Sequence, residues 1–502
     1  MKFYDDLDLN IKTFDKIFKD SGDVVSRKFP VGEARRVDIY VLYIDMLVNR
    51  AFIDENIVNR LMISIREVPP NMEMLSQNVF DSLKDGGITT VDLAVNEDVE
   101  AVLVSVLAGD TMLLIDGFPK AIVLATRGFP NRGIPTAENE VVVQGSKEAF
   151  SEVFRFNTML IRRRIRDVRL KVKQVRVGTR SHTDIALMYL DDVVRHDILE
   201  EVLKRIENIN IDAIMDSGYI EQLIEDDWNS PFPQALITER PDTAASAILD
   251  GRIAIIVDNS PTAIIVPSTF NSFFQSPEDY YSRFEIMSFT RILRFAAGFL
   301  AIALPGLYLA TATFHPSMIP MLLVLKMASA RASVPFPAVV EIMIMDITFE
   351  LLREAGIRLP GPVAGTIGIV GGIVIGQAAV EAGIVSPVVV IVIALTGICG
   401  FVIPHISLVN GFRIAKYLLI GLSAILGLFG FWIGLLIILI HLVSLKSFGI
   451  PYMHPFAASN ISGHTEYKDS LIRFPLFSLS RRPFFANPSQ SIRMKRYDKK
   501  KE

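Results

Sequence analysis

Phe289-Thr-Arg-Ile-Leu-Arg-Phe-Ala-Ala-Gly-Phe-Leu-Ala-Ile-Ala-Leu-Pro-Gly-Leu-Tyr-Leu309 is the stretch that decides the architecture. A helix needs ~20 mostly apolar residues to cross a bilayer, and this run is long enough. Arg291 and Arg294 stand at its entrance, and Pro305-Gly306 near its exit should kink or end it. Downstream, three more runs qualify: Pro362 to Val380, Pro387 to Val409 and Tyr417 to Leu445. Upstream, residues 1–285 carry charges every few positions and hold no long apolar run. The chain therefore divides into a soluble N-terminal half and a helical transmembrane domain, with a short basic tail after it.

Charge gives an orientation. From Lys446 to Glu502 there are eleven Lys/Arg against four Asp/Glu, so this tail carries about +7 of a chain whose net charge is −4. Basic residues beside membrane helices are retained on the cytoplasmic side. Both termini are expected there, which requires an even number of spans. Four spans plus a broken segment satisfy this; a fifth crossing would move one terminus. Arg413 and Lys416, just before the last run, conflict mildly with an outer loop at that point. Met1 to Asn10 is acidic and lacks an apolar core, so no cleavable signal peptide is expected.

The broken segment is Met321 to Gly356. It starts apolar, is interrupted by Pro335 and Pro337, and carries Lys326, Arg331, Glu341, Asp346, Glu350, Arg353 and Glu354. Charge within a membrane is costly and normally faces a cavity or a partner. Asp346, Glu350 and Glu354 recur every four residues and share one helix face, with Glu341 nearby. Val340, Ile344, Ile347 and Leu351 form an apolar face elsewhere on that helix. Two readings stand. The acids line a cation pore, with Ile344 or Ile347 closing it. Alternatively the helix is interfacial, and its acids pair with Arg353, Arg358 and Lys326. The glycine-rich run that follows places Gly361, Gly365, Gly368, Gly372 and Gly376 on a stripe suited to close helix packing, with a gating hinge as the other reading.

The soluble half contains an echo of itself. Val37-Asp-Ile-Tyr-Val-Leu-Tyr-Ile-Asp45 matches Thr183-Asp-Ile-Ala-Leu-Met-Tyr-Leu-Asp191, 146 residues later. Leu107-Ala-Gly-Asp-Thr-Met-Leu-Leu-Ile-Asp116 matches Leu249-Asp-Gly-Arg-Ile-Ala-Ile-Ile-Val-Asp258, 142 residues later. Two matches in the same order point to a duplication. Each copy reads as strand, helix (Asp54 to Ile65; Asp197 to Ile206), strand and hairpin, with turns at Asp116-Gly117 and Asp258-Asn259. The expected fold class is two duplicated α/β subdomains with mixed sheets, at 1–150 and 181–285. A basic connector covers 151–180, the α-helical transmembrane domain 286–445, and the basic cytoplasmic tail 446–502. Arg155 to Arg180 holds ten Lys/Arg and one acid. It reads as a salt-bridged segment or as an anionic-lipid contact; aromatics are too sparse for nucleic acid.

No P-loop, GxSxG or HExxH occurs, and the seven histidines are scattered. One cysteine, Cys399, allows no internal disulfide and no cysteine-based metal site. No enzyme, catalytic residue, cofactor or metal is expected. The aspartates at strand ends (Asp45, Asp116, Asp191, Asp258) read as turn residues.

A series of short stretches carries a family resemblance. In the soluble half they are Asp216-Ser-Gly-Tyr-Ile-Glu-Gln-Leu-Ile-Glu225, Ser230-Pro-Phe-Pro-Gln234, Thr238-Glu-Arg-Pro-Asp242 and Gln275-Ser-Pro-Glu-Asp-Tyr-Tyr281. In the membrane half they are Thr313-Phe-His-Pro316, Val334-Pro-Phe-Pro337, Glu350-Leu-Leu-Arg-Glu-Ala-Gly356, Ile375-Gly-Gln-Ala-Ala-Val-Glu-Ala-Gly383 and Phe448-Gly-Ile-Pro-Tyr452. In this order they resemble the A-type subunits of the GerA family of spore-germination membrane proteins, over roughly 150–455. The resemblance implies a multi-pass protein of the spore inner membrane. It implies B-type and C-type partner subunits, a homo-oligomeric ring, and a pore for monovalent cations. It fits equally a nutrient-receptor A subunit and the stage V sporulation protein AF type, and it supplies no catalytic residue. A subunit that conducts nothing and signals to a partner channel remains the alternative.

Overall fold

The structure is a computed structural model that describes residues 2–31, 37–53, 93–128, 135–357, 372, 374–457 and 466–494. It divides into two compact units. The first comprises residues 1–225, 237–267 and 480–495; the second comprises 226–236, 268–479 and the end of the chain.

The first unit holds two five-stranded sheets. In the N-terminal one, α1 (Leu7–Ile17), β1 (Val24–Val31), β2 (Val37–Ile44), β3 (Leu93–Asn96), α2 (Val99–Leu107), β4 (Thr111–Ile115) and β5 (Ala121–Leu124) follow in sequence. The second has α3 (Phe154–Arg164), β6 (Leu170–Val177), β7 (Thr183–Leu190), α4 (His196–Glu207), α5 (Ser217–Ile224), β8 (Leu236–Thr238), α6 (Pro241–Leu249), β9 (Ile253–Val257) and β10 (Ala263–Val266). The strand orders are β1-β2-β4-β5-β3 and β6-β7-β9-β10-β8, the same pattern twice. The registers also correspond: Ile39 faces Ile115 in the first sheet, and Ile185 faces Val257 in the second.

A mixed sheet was the expectation, yet every pair in the first sheet is antiparallel. The hairpin accounts for part of this: β4 turns directly into β5, with Gly117 in the left-handed region at φ 76°. Its counterpart turn between β9 and β10 uses Asn259 at φ 63°. The central strands β4 and β9 are buried along their whole length. Their unbroken apolar runs fit a sheet covered on both faces. Two helices start at a capping side chain. Asp98 accepts from the Glu100 N–H ahead of α2, and Asp216 from the Gly218 N–H ahead of α5.

The segment expected as a connector, 151–180, forms α3 and β6, and β6 is an edge strand paired along its length with β7. Several of its cations are used internally. Arg162 is fully buried and grips Asp23 with two hydrogen bonds of 2.7 and 2.8 Å. Arg163 and Arg164 both reach Glu148, and Arg169 bridges Asp167 and Asp192. Burial raises the affinity of Glu148 for its proton, but the two guanidiniums outweigh this and hold it below the usual glutamate range.

The second unit is helical: α7 (Phe284–Phe314), α8 (Met321–Arg331), α9 (Ala338–Ile357), α10 (Pro387–Phe401) and α11 (Ile406–Ser444). Among the described residues, α7 and α11 are long and apolar enough to cross a membrane, and α10 is apolar but shorter. The final run was expected as one span from Tyr417. Instead α11 begins at Ile406 and reverses at Gly427, whose φ of 63° and ψ of −138° are non-helical. A Cβ on Gly434 would lie 2.7 Å from Leu419 Cδ2, and one on Gly430 would overlap Leu422 O. Residues 15 apart in a straight helix lie about 22 Å apart, so the two arms, 406–426 and 428–444, are antiparallel. They measure about 31 Å and 25 Å at 1.5 Å per residue, close to a ~30 Å hydrocarbon core.

The tail divides between the units. β11 (Lys446–Ser447) and β12 (Ile450–Pro451) form a small hairpin in the helical unit. Residues 480–494 instead dock on the second α/β subdomain. There Asn487 donates its N–H to Val193 O, Arg482 binds Leu249 O, and Arg493 pairs with Asp250.

Candidate functional site

Helix α9 starts after Pro335 and Pro337, where the Pro337 carbonyl accepts the N–H groups of Val340 and Glu341. Its buried apolar side, Ile342 and Met345, packs against Val389, Val392 and Ile393 of α10. At Gly397 of α10 a Cβ would lie 2.5 Å from the Phe349 ring, so the two helices approach closely there. This packing turns the acids inward and leaves Ile347 and Leu351 47 % and 66 % exposed. The side read from sequence as an apolar face is thus the outward one, while two of the acids are buried.

Each inward acid meets a cation. Glu341 is fully buried, paired with Arg331 at 3.1 Å and accepting the Ser386 N–H at 2.8 Å. Asp346 Oδ1 accepts from the Lys416 ammonium at 2.6 Å, with both side chains buried. Glu350 binds Arg353 at 2.7 Å and takes two hydrogen bonds from Arg413, one of them 3.0 Å to Oε1. Arg413 also donates to Asn410 Oδ1 at 3.1 Å. Glu354 is exposed and Ile344 half-buried. A cavity of about 40 Å³ lies among Asp346, Glu350, Thr396, Gly400, Arg413 and Lys416.

Of the partners read from sequence for these acids, Arg353 is used, Lys326 is exposed, and Arg358 lies outside the described residues. The partners the sequence reading missed are Arg331, Arg413 and Lys416. A signal existed. Arg413 and Lys416 are three apart on one helix, and Asp346 and Glu350 four apart on another, so two such faces can pair. In the glycine stripe, a Cβ on Gly376 would lie 3.2 Å from Val390 Cγ1, whereas one on Gly372 would meet open space. Gly361, Gly365 and Gly368 lie outside the described residues.

The recurring motifs occupy buried junctions. Arg240 is 1 % exposed and holds Asp242, the Ser146 carbonyl and the Glu140 carbonyl, while Glu239 accepts the N–H groups of Asn139 and Glu140. In the helical unit, Gln234 accepts the N–H groups of Asp226 and Asp227, and Ser230 hydrogen-bonds His441 at 2.9 Å. Asp279 is fully buried between Arg291 at 2.7 Å and Arg294 at 2.8 Å, and Arg291 also reaches Asp469. The cations read as topological markers are therefore also structural.

An α/β domain built of two similar five-stranded sheets, joined to a helical domain with membrane-length apolar helices and internally paired charges, defines the class of protein. The chain belongs to the Bacillus/Clostridium GerA spore germination protein family, whose model matches residues 12–485. Spore germination protein KA of Bacillus subtilis (strain 168) is 40 % identical over 96 % of this chain and 87 % of its own. Spore germination protein B1 of the same organism is 36 % identical over 99 % and 100 %, and GerLA of Bacillus cereus 40 % over 82 % and 83 %. A solved structure, of the N-terminal domain of the A subunit of the Bacillus megaterium spore germinant receptor GerK3, aligns with a TM-score of 0.43. It is 30 % identical and covers 54 % of this chain and 98 % of its own. The chain's role lies in spore germination.

Proposed function

We propose that this chain is a non-enzymatic subunit of a germination receptor or channel complex in the spore inner membrane. It assembles with copies of itself and with B-type and C-type subunits, and the assembly conducts monovalent cations. The observation that carries this reading is the set of carboxylates, Glu341, Asp346 and Glu350, held inside an apolar helical unit. Charge in such a setting is expensive and is normally retained for transport or signalling. That residues 480–494 fold into the α/β unit supports placing this domain and the end of the tail on one side of the membrane. The matching strand orders and registers support two copies of one ancestral subdomain.

A second reading has its own support. Each of these three acids already has a cationic partner within the chain, as a non-conducting receptor or scaffold subunit would require. Reconstitution of the full chain in liposomes with a rubidium gradient separates the two. Flux above protein-free vesicles supports conduction; flux at background, with correctly inserted protein, favours the scaffold.

A further inference from the structure

Asp346 is half satisfied. Oδ1 holds the Lys416 ammonium at 2.6 Å, whereas Oδ2 is buried and has no hydrogen-bond partner of ordinary geometry among the described residues, although the Tyr417 hydroxyl lies close to the carboxylate. The residue is 3 % exposed and borders the cavity of about 40 Å³. That volume suits one dehydrated alkali cation or a water. Thr396 borders the same cavity. Its hydroxyl proton goes to the Val392 carbonyl at 2.7 Å, which leaves the oxygen lone pairs able to accept a cation as a neutral ligand beside the Asp346 carboxylate. Glu350, by contrast, is engaged by Arg353 and Arg413 together. Lys416 stands 3.7 Å from Glu350 but 2.6 Å from Asp346.

We infer that Asp346 is a binding site for a monovalent cation and that Lys416 is its tethered occupant. The ammonium holds the place that an alkali cation takes when Lys416 withdraws. The inference rests on the conducting reading and names the regulation of that site. Arg353 and Arg413 are both committed to Glu350, so Lys416 is the cation paired with Asp346. Withdrawal of Lys416 alone leaves a buried carboxylate uncompensated, which is strongly disfavoured. An incoming unit charge replaces the one Lys416 supplied to Asp346, whereas a divalent ion adds a further positive charge beside Arg353 and Arg413. The pair therefore resists opening except by exchange of one cation for another.

The test uses the full chain in detergent at constant ionic strength, with potassium exchanged for choline. Lys416→Met is expected to gain a melting temperature that rises by several degrees with potassium, because an ion that binds only the folded state stabilises it. Wild type should show no such rise, and Asp346→Asn with Lys416→Met should lose it. Lys416→Gln, which can still donate to Asp346, should show a smaller rise. The inference is overturned if neither Lys416 variant responds to potassium, or if neither folds even in potassium. It is also overturned if the response survives Asp346→Asn. In proteoliposomes, Lys416→Met should raise rubidium flux severalfold over wild type; unchanged flux from a conducting wild type refutes the occupant role. Potassium-dependent stabilisation with no flux from any sample would sustain the site and refute conduction.

Discussion

Gly427→Ala should break the helical hairpin of α11. The native φ of 63° and ψ of −138° lie outside the regions open to an L-residue, which costs roughly 1–3 kcal/mol. The new methyl would stand 2.8 Å from both Cβ and Cγ of Phe314, and such overpacking costs about 1–3 kcal/mol more. Alanine is also the better helix former by about 1 kcal/mol, so the straight helix gains what the turn loses. A net loss of about 3 kcal/mol lowers the hairpin-to-straight ratio by roughly 100-fold. The assay is an oxidative cross-link. With Cys399 replaced by Ser, cysteines are placed at Leu419 and Gly434, where a Cβ on 434 lies 3.8 Å from the Leu419 Cα. A disulfide needs Cα atoms within about 7 Å, and a straight α11 would separate them by about 22 Å. The parent should cross-link readily and the Gly427→Ala version poorly. Equal cross-linking in the two, or none in the parent, refutes the hairpin reasoning.

Three further outcomes follow from the packing. Arg162→Met leaves the buried Asp23 carboxylate alone and should cost about 3–5 kcal/mol in denaturant unfolding. Adding Asp23→Leu should recover much of that loss, and strictly additive effects would contradict a coupled pair. Burial, with the Glu239 charge, pushes the Glu140 carboxyl up to about 7 against the pull of the Thr238 hydroxyl. The folded state thus holds a proton that the unfolded chain releases near 4.5, so this contribution is complete below about 4.5 and is lost as pH rises through about 7. Amide exchange in 137–149 should accelerate across that window, and Glu140→Gln should flatten the response. Asp279→Asn leaves the buried Arg291 and Arg294 without their shared carboxylate, and the amount of folded protein in membranes should fall; wild-type levels would show the network dispensable.

How much was legible in the sequence varied with the range of the interaction. Strands β2 and β7 fall where the quoted repeats place them, because a strand buried on both faces writes an unbroken apolar run. The hairpin turns at Asp116 and Asp258 were readable from local turn chemistry. Strand direction across the sheet was not, since β2 and β4 pair over a gap in sequence that no local pattern reports. The acidic face of α9 was legible as a face, but its orientation was not. Lys416 lies seventy residues from Asp346, and only helix packing brings them together. Likewise the ten cations of 155–180 could be read as a salt-bridged segment without naming the partners, because Asp23 and Glu148 lie outside the window that a local reading spans.

Composition and periodicity by themselves determined that a charged α/β half precedes an apolar helical half, since burial preference and bilayer length are written residue by residue. Tertiary structure decided which charges are paired, that α11 folds back at Gly427, and that residues 480–494 return to the α/β unit. Those features depend on contacts between residues tens to hundreds of positions apart, and a buried charge reveals its role only once its partner is in place.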